Sequence, residues 1–308
     1  MNEHASLQQE GMNVTFAAEK KRWKDNPSWK RFKKNKLAVF GLMFLGLFVI
    51  VSLLAPLIAP YDPYVSNEND LGTYHVLAPP SSEHLLGTDS LGRDMLSRII
   101  YGGRVSLSVA FVAVLIATAT GILLGVLAGY YGKWVDTLIM RITDVVICFP
   151  VLFLAITVAT ILKPSLWNVM IIIGFVSWTT MTRLVRGEVL RLREMEYIEA
   201  AKAMGQQNAL IILRHILPNI LAPIVVQATL QTAEAILTES ALSFLGVGVQ
   251  QPVPSWGNML NEATSIMILQ FKPWVWAPAG FAILMTILCI NFVGDGLRDA
   301  LDPKVKNE

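Results

Sequence analysis

The charged stretch from Val185 to Asn219 is the part of this chain where residue type and spacing carry the most information. It holds Glu199-Ala200-Ala201-Lys202, then Met204-Gly205, then Leu217-Pro218. The chemistry these residues offer is contact rather than bond breaking. The segment is good helix-forming sequence interrupted by one glycine. Arg191, Arg193, Glu194, Glu196 and Lys202 give it a charged surface, and Met195, Ile198, Ala201 and Met204 fall at helical spacing as a narrow apolar stripe. The spacing predicts a helix, a turn at Gly205, a second helix, and an apolar run that opens near Pro218. Such a unit presents a short, small-faced helix to another molecule; the alternative is an amphipathic connection lying on a membrane surface. Late in the span that follows, near the outer leaflet, stand Glu234 and Glu239; an intramembrane carboxylate is a functional candidate by default.

Catalytic patterns are missing from the sequence. Gly132-Lys133 is the nearest approach to a nucleotide-cradling Gly-x4-Gly-Lys-Ser/Thr loop, but Leu127 and Trp134 occupy the other required positions. There is no Gly-x-Ser-x-Gly and no His-Glu-x-x-His. His4, His75, His84 and His215 are scattered, and Cys148 and Cys289 lie in apolar runs, where a buried free thiol is the ordinary reading.

The elements that must position the loop are membrane spans. Of 308 residues, 54% are hydrophobic and only 16% charged, against about 25% charged in soluble domains. Mean hydropathy is +0.51. Six runs lack Asp, Glu, Lys and Arg: Leu37 to Ala59, Val105 to Tyr130, Val145 to Leu162, Pro164 to Thr182, Ile216 to Ala233 and Pro273 to Gly294. A bilayer is crossed by about 20 apolar residues as helix, and the runs are continuously apolar rather than alternating, so helices rather than a barrel are expected. The first run begins too late, and is too long, for a cleavable leader. Lysines and arginines divide 20 to five between the two sets of connections, which puts both termini in the cytoplasm. Net charge is only +2, so no nucleic-acid partner is implied. The basic, aromatic tail from Lys20 to Lys36 suits a membrane lipid surface. Gly121, Gly125 and Gly129 recur at every fourth residue and predict a close helix–helix approach. Pro56, Pro150 and Pro223 predict kinks, and Lys163-Pro164 a tight turn. Asp62, Glu68, Asp70, Glu83, Asp89 and Asp94 read as a solvated acidic outer loop.

The resulting division is a basic tail at 1–36, a first span with its outer segment at 37–104, a helical core at 105–298 that contains the loop 189–218, and a tail at 299–308. The fold class is all-α and polytopic.

One resemblance gives this architecture a function. Glu199-Ala200-Ala201, three residues, Gly205, nine residues, then His215-x-Leu217-Pro218 is similar to the EAA loop of bacterial ABC-importer permeases. His215 replaces that pattern's isoleucine and resembles the peptide-transporting branch. Gly87 to Asp94 with Ser97-Arg98, Glu239 to Val249 with Pro254-Ser-Trp-Gly257, and Val293 to Pro303 resemble the C-type membrane subunit of the dipeptide, oligopeptide and nickel permeases. The resemblance runs from about Leu37 to Pro303. It implies the type I importer permease fold in the bacterial cell membrane, a second homologous permease subunit, two ATPase subunits that bind ATP and Mg2+, and an extracytoplasmic peptide-binding protein. It implies that this chain binds no cofactor or metal and catalyses nothing. It also implies that Glu199, Ala200, Ala201, Lys202, Met204, Gly205, Leu217 and Pro218 couple to the ATPase. Glu234 and Glu239 are then candidates to attract a peptide amino terminus, or to pair with a basic residue of the second permease. Nickel, glutathione or antimicrobial peptides are alternative cargoes of the same architecture. An ion-coupled secondary transporter is the rival class, and the nearly charge-free spans without a visible repeat speak against it.

Overall fold

The structure, a computed structural model, describes residues 27–66, 75–162 and 165–301, all helix and connection with no strand among them. The outer part of the basic tail (Lys20–Lys24), Glu68, Asp70, the Lys163-Pro164 turn and the last residues from Asp302 lie outside the described residues. A short helix α1 (Pro27–Lys34) leads into α2 (Lys36–Leu53), whose first turn is capped by the Asn35 side chain accepting the Ala38 N–H at 3.1 Å. Pro56 sits in the first turn of the small helix α3 (Ala55–Ile58), where its missing N–H costs nothing; the first run is therefore broken at Leu54 rather than kinked.

The long helix α4 (Met95–Tyr131) starts ten residues before the apolar run that announced it. Arg104, which delimits that run, and Arg98 before it are both inside the helix. The third run is divided. Helix α5 (Lys133–Ile147) and helix α6 (Val151–Ile161) meet at 87°, with Pro150 at the break. The fourth run becomes α7 (Leu166–Val176) and α8 (Trp178–Arg193), separated at Ser177. The carbonyl freed there accepts the side-chain amide of buried Gln231 at 3.1 Å. Helix α8 continues past Thr182 for three further turns, so the charged stretch begins as an extension of a span.

After the short helices α9 (Glu196–Ala203) and α10 (Asn208–Ile211), a π-helical turn (Ile212–Ile216) feeds directly into α11 (Leu217–Phe244). Pro218 lies in the first turn of α11, where its lack of an N–H is absorbed by the change of register. A small helix α12 (Trp256–Leu260) and α13 (Ile266–Phe271) precede the last span, α14 (Ala277–Leu301). Among the described residues, five helices, or helix pairs in line, are long and apolar enough to cross a membrane, and the α5–α6 pair, bent by 87°, makes a sixth if it is counted as one span.

The bundle is held by close approach rather than bulk. A Cβ added at Gly121, Gly125 or Gly129 would lie 2.5, 2.7 and 2.8 Å from Met181, Val185 and Val189 of α8. Alanine in place of any of these glycines would push the two helices apart. Glycine every fourth residue thus sets α8 flush against α4, in the manner the spacing predicts. The core beside this seam contains Val126, Val185, Val189, Ile216 and Ile220.

Candidate functional site

The predicted contact unit is built at one end of the bundle. Helix α8 stops at Arg193, whose guanidinium donates to the last carbonyls of α4, Gly129 O at 3.2 Å and Tyr130 O at 3.3 Å. The chain turns at Met195, whose carbonyl accepts the Ile198 and Glu199 amides at 2.9 and 3.1 Å. Helix α9 then ends in a left-handed turn. Gly205 has φ 75°, its N–H donates to Lys202 O at 2.9 Å, and the Gln206 N–H reaches back to Ala201 O at 3.1 Å. That pair of bonds closes the last carbonyls of the helix. A Cβ on Gly205 would meet nothing within 4 Å. The glycine is therefore needed for its backbone angle, not for room.

The two alanines of the motif face opposite ways. Ile198 (0% exposed) and Ala201 (3%) pack into the core under the α4–α8 seam. Glu199, Ala200, Lys202 and Met204 face outward, Met204 with 80% of its surface exposed. This corrects the stripe read from the sequence. Met195 and Met204 do not join Ile198 and Ala201, because the turns at both ends of an eight-residue helix swing its flanking residues off the buried face.

Around this helix, Lys202 Nζ sits 5.7 Å above the Tyr130 ring, and the Tyr130 hydroxyl donates to Asn208 Oδ1 at 2.8 Å. His215 shares a hydrogen bond with Gln206 Oε1 at 3.2 Å and lies beside the Tyr197 ring. The histidine that departs from the family pattern therefore pins the residue just after the glycine turn. Leu217 packs against the same core, and Pro218 is exposed at the start of α11.

The two candidate carboxylates differ. Glu234 is exposed on the flank of α11. Glu239 is completely buried: Ser106 Oγ of α4 donates to it at 2.9 Å and Ser243 Oγ at 2.8 Å. Ser106 Oγ also accepts the Trp256 N–H at 3.2 Å. The carboxylate thus ties α4 and α12 to α11, its oxygens occupied by hydroxyls of its own chain. Cys148 is exposed at the α5–α6 break rather than buried, because the bend lifts it off the bundle, while Cys289 is buried.

At the opposite end, sequence reasoning missed a buried polar cap. Asp89 and Asp94, read as part of a solvated acidic loop, are each 1% exposed, as are Arg98 and His84; Asp62 and Glu83 do lie at the surface. Asp89 Oδ2 accepts a hydrogen bond from Arg93 Nε at 2.7 Å and is ion-paired with Arg98 Nε at 3.3 Å, while Oδ1 accepts the Leu91 and Arg93 amides at 2.9 Å each. Asp94 caps α4 through the Ser97 N–H at 2.8 Å and meets His84 Nδ1 at 3.0 Å. Arg93 reaches Gln251 Oε1 at 2.8 Å, and Arg98 reaches Pro63 O at 3.0 Å. Glu262 joins by accepting the Ser90 N–H at 3.1 Å. Burial, with the Asp89 charge nearby, pushes its carboxyl above the ordinary carboxylate value. The signal in the sequence is the i,i+4 spacing of Asp89 with Arg93 and the Asp94-x-x-Ser97 cap.

A bundle of apolar helices that turns one short, tightly closed helix outward has the form of a membrane-spanning transport subunit. Comparison with known proteins makes this specific: the chain belongs to the family described as binding-protein-dependent transport system inner membrane components, whose model matches residues 121–307. Residues 22–80 match the N-terminal transmembrane domain of oligopeptide transport permease C. The chain is 48% identical over 285 residues to the dipeptide transport system permease protein DppC of Alkalihalophilus pseudofirmus, covering 92% of this chain and 91% of that one. It is 43% identical over 279 residues to the glutathione transport system permease protein GsiD of Pectobacterium atrosepticum, covering 91% of each. Among solved structures, an inward-facing form of the MetNI methionine ABC transporter matches with a TM-score of 0.55 at 18% identity, over 68% of this chain and 98% of that one. This match shows the fold, which is the type I ABC-importer permease fold expected from the sequence.

Proposed function

We propose that this chain is one of two homologous membrane subunits of an ABC importer for short peptides, with both termini in the cytoplasm. Two ATPase subunits, which carry ATP and Mg2+, dock on the outward face of α9 and on its counterpart in the second permease. An extracytoplasmic binding protein delivers the peptide to the other end. The observation that carries this reading is the two-sidedness of α9. Glu199, Ala200, Lys202 and Met204 face outward, while Ile198 and Ala201 join the core between α4, α8 and α11. A push on the outer face is delivered to the spans because the inner face shares their packing. Gly205 closes the helix, and Leu217 and Pro218 fix where α11 departs. Closure of the ATPase pair then tilts the spans as bodies, and cargo moves without any covalent step. On this reading Glu234 is the exposed carboxylate offered to the path or to the second permease, and Glu239 is a strut.

The test substitutes Gly205→Val and Glu199→Lys separately and measures ATPase co-purification and uptake of a labelled dipeptide. Loss of either, with the permease still inserted, supports docking through α9. Full association and normal uptake in both variants would sink it. Labelled glutathione run in the same uptake assay separates the cargo assignment from the docking assignment.

A further inference from the structure

Helix α5 carries a polar surface that none of the contacts described above explains. It is buried only along one edge, at Ile139 and Thr143. With 3.6 residues per turn, the rest of the helix divides into two strips. Trp134, Leu138, Ile142 and Val145 form an exposed apolar strip suited to lipid. Asp136, Thr137, Asp144 and Cys148 fall on the other strip. There Asp136 takes both Nε and, at 2.7 Å, the terminal nitrogen of Arg186, and Asp144 accepts Arg183 at 2.6 Å. The Asp144–Arg183 pair is half exposed on both sides, at 48% and 49%.

Its position along the bundle is fixed by the glycine seam. Thr182 and Val185 lie against Gly121 and Gly125, so Arg183 is level with those glycines, about 12 Å inside the end of α4 at 1.5 Å per residue. Beside the pair is a concave space of about 350 Å³, in which Thr179, Thr180 and Arg183 of α8 face Ile147, Phe149 and Val151 across the α5–α6 break. The space has an apolar wall, with two threonine hydroxyls and the Arg183 guanidinium facing it.

We infer that this cleft is a station on the translocation path, where the Asp144–Arg183 pair opens to hold a zwitterionic peptide, its carboxylate on Arg183 and its ammonium on Asp144. This inference rests on the importer reading. The bidentate fork of Arg183 suits a carboxylate, and the resting bond to Asp144 keeps both charges compensated when no cargo is present.

The experiment uses the assembled transporter. The native Cys148 thiol, and separately a Thr180→Cys variant, are treated with a charged, water-soluble thiosulfonate with and without saturating transported peptide. Only a water-exposed thiolate reacts quickly. Rapid labelling of both positions, slowed at least tenfold by peptide, is expected. Unreactive thiols overturn the inference, since the face is then covered by lipid or by the second permease. Labelling that peptide does not slow also overturns it, because the cleft is then wet but not on the path. In parallel, Arg183→Gln should lower dipeptide uptake at least tenfold while ATPase co-purification and binding-protein-stimulated ATP hydrolysis stay within twofold. A charge swap, Asp144→Arg with Arg183→Asp, should not restore uptake. Full restoration would make the pair a structural strut. Loss of ATPase association in Gly205→Val with unchanged thiol labelling, or its reverse, tells failure of the docking assignment from failure of this one.

Discussion

The cap around residues 75–98 and the turn around residues 194–219 are both short, charge-rich connections, and they handle charge in opposite ways. In the cap, Asp89, Arg93, Asp94 and Arg98 are withdrawn from water and spend their bonds on one another and on backbone amides. In the turn, Glu199 and Lys202 stay exposed around an outward alanine and methionine. A charged motif whose members pair with each other holds a chain together. A charged motif left open on a rigid support is offered to something else. In both segments backbone bonds close the turns, at Asp89 with Arg93 in the cap and at Gly205 in the loop, so the contrast lies in the side chains.

Several substitutions would break or sharpen that contrast. The largest effect is expected from Asp89→Ala, which strands two buried guanidinium groups. About 3–5 kcal/mol should be lost, seen as failure of the protein to accumulate in membranes or as a collapse of its thermal transition in detergent; a stable variant would mean the cap is wet. Next come the adjacent alanines. Ala201→Leu overpacks the core and should destabilise by about 1–3 kcal/mol. Ala200→Leu should leave the unfolding transition within about 0.5 kcal/mol yet lower ATPase co-purification. Equal behaviour of the two variants would erase the distinction between an inner and an outer face of α9.

The smallest effect concerns pH. Because the Glu262 carboxyl lies above its ordinary value of 4.5 in the folded chain, the folded state holds more protons than the unfolded one between 4.5 and the raised value. The contribution of this group to stability is therefore largest below 4.5 and declines as pH rises through that window. Glu262→Gln should flatten the slope, with a change in Tm of about 1–2 °C at neutrality. Its amide oxygen can still accept the Ser90 N–H, so an unchanged slope would assign the pH dependence elsewhere in the cap.

Much of this molecule was legible from composition and spacing, and the rest was hidden for identifiable reasons. Six apolar runs and the glycine seam follow from a solvent that tolerates only satisfied backbone. The early start of α4 was hidden because Arg98 looks like a flanking residue until its partner, Asp89, is brought over it by the loop. The 87° break could be suspected at Pro150, but proline alone does not set the angle. In the candidate site, the helix, its glycine and its outward charges were readable. The placing of Met195 and Met204 was not, because an eight-residue helix gives periodicity too few turns to speak. The closure of Glu239 by Ser106 depends on a pair 133 residues apart, which no local pattern announces.

The half-exposed Asp144–Arg183 pair also constrains what can lie beside α5. The two exposed strips of α5 call for different neighbours: acyl chains suit Trp134, Leu138, Ile142 and Val145, whereas the charged strip calls for water or protein.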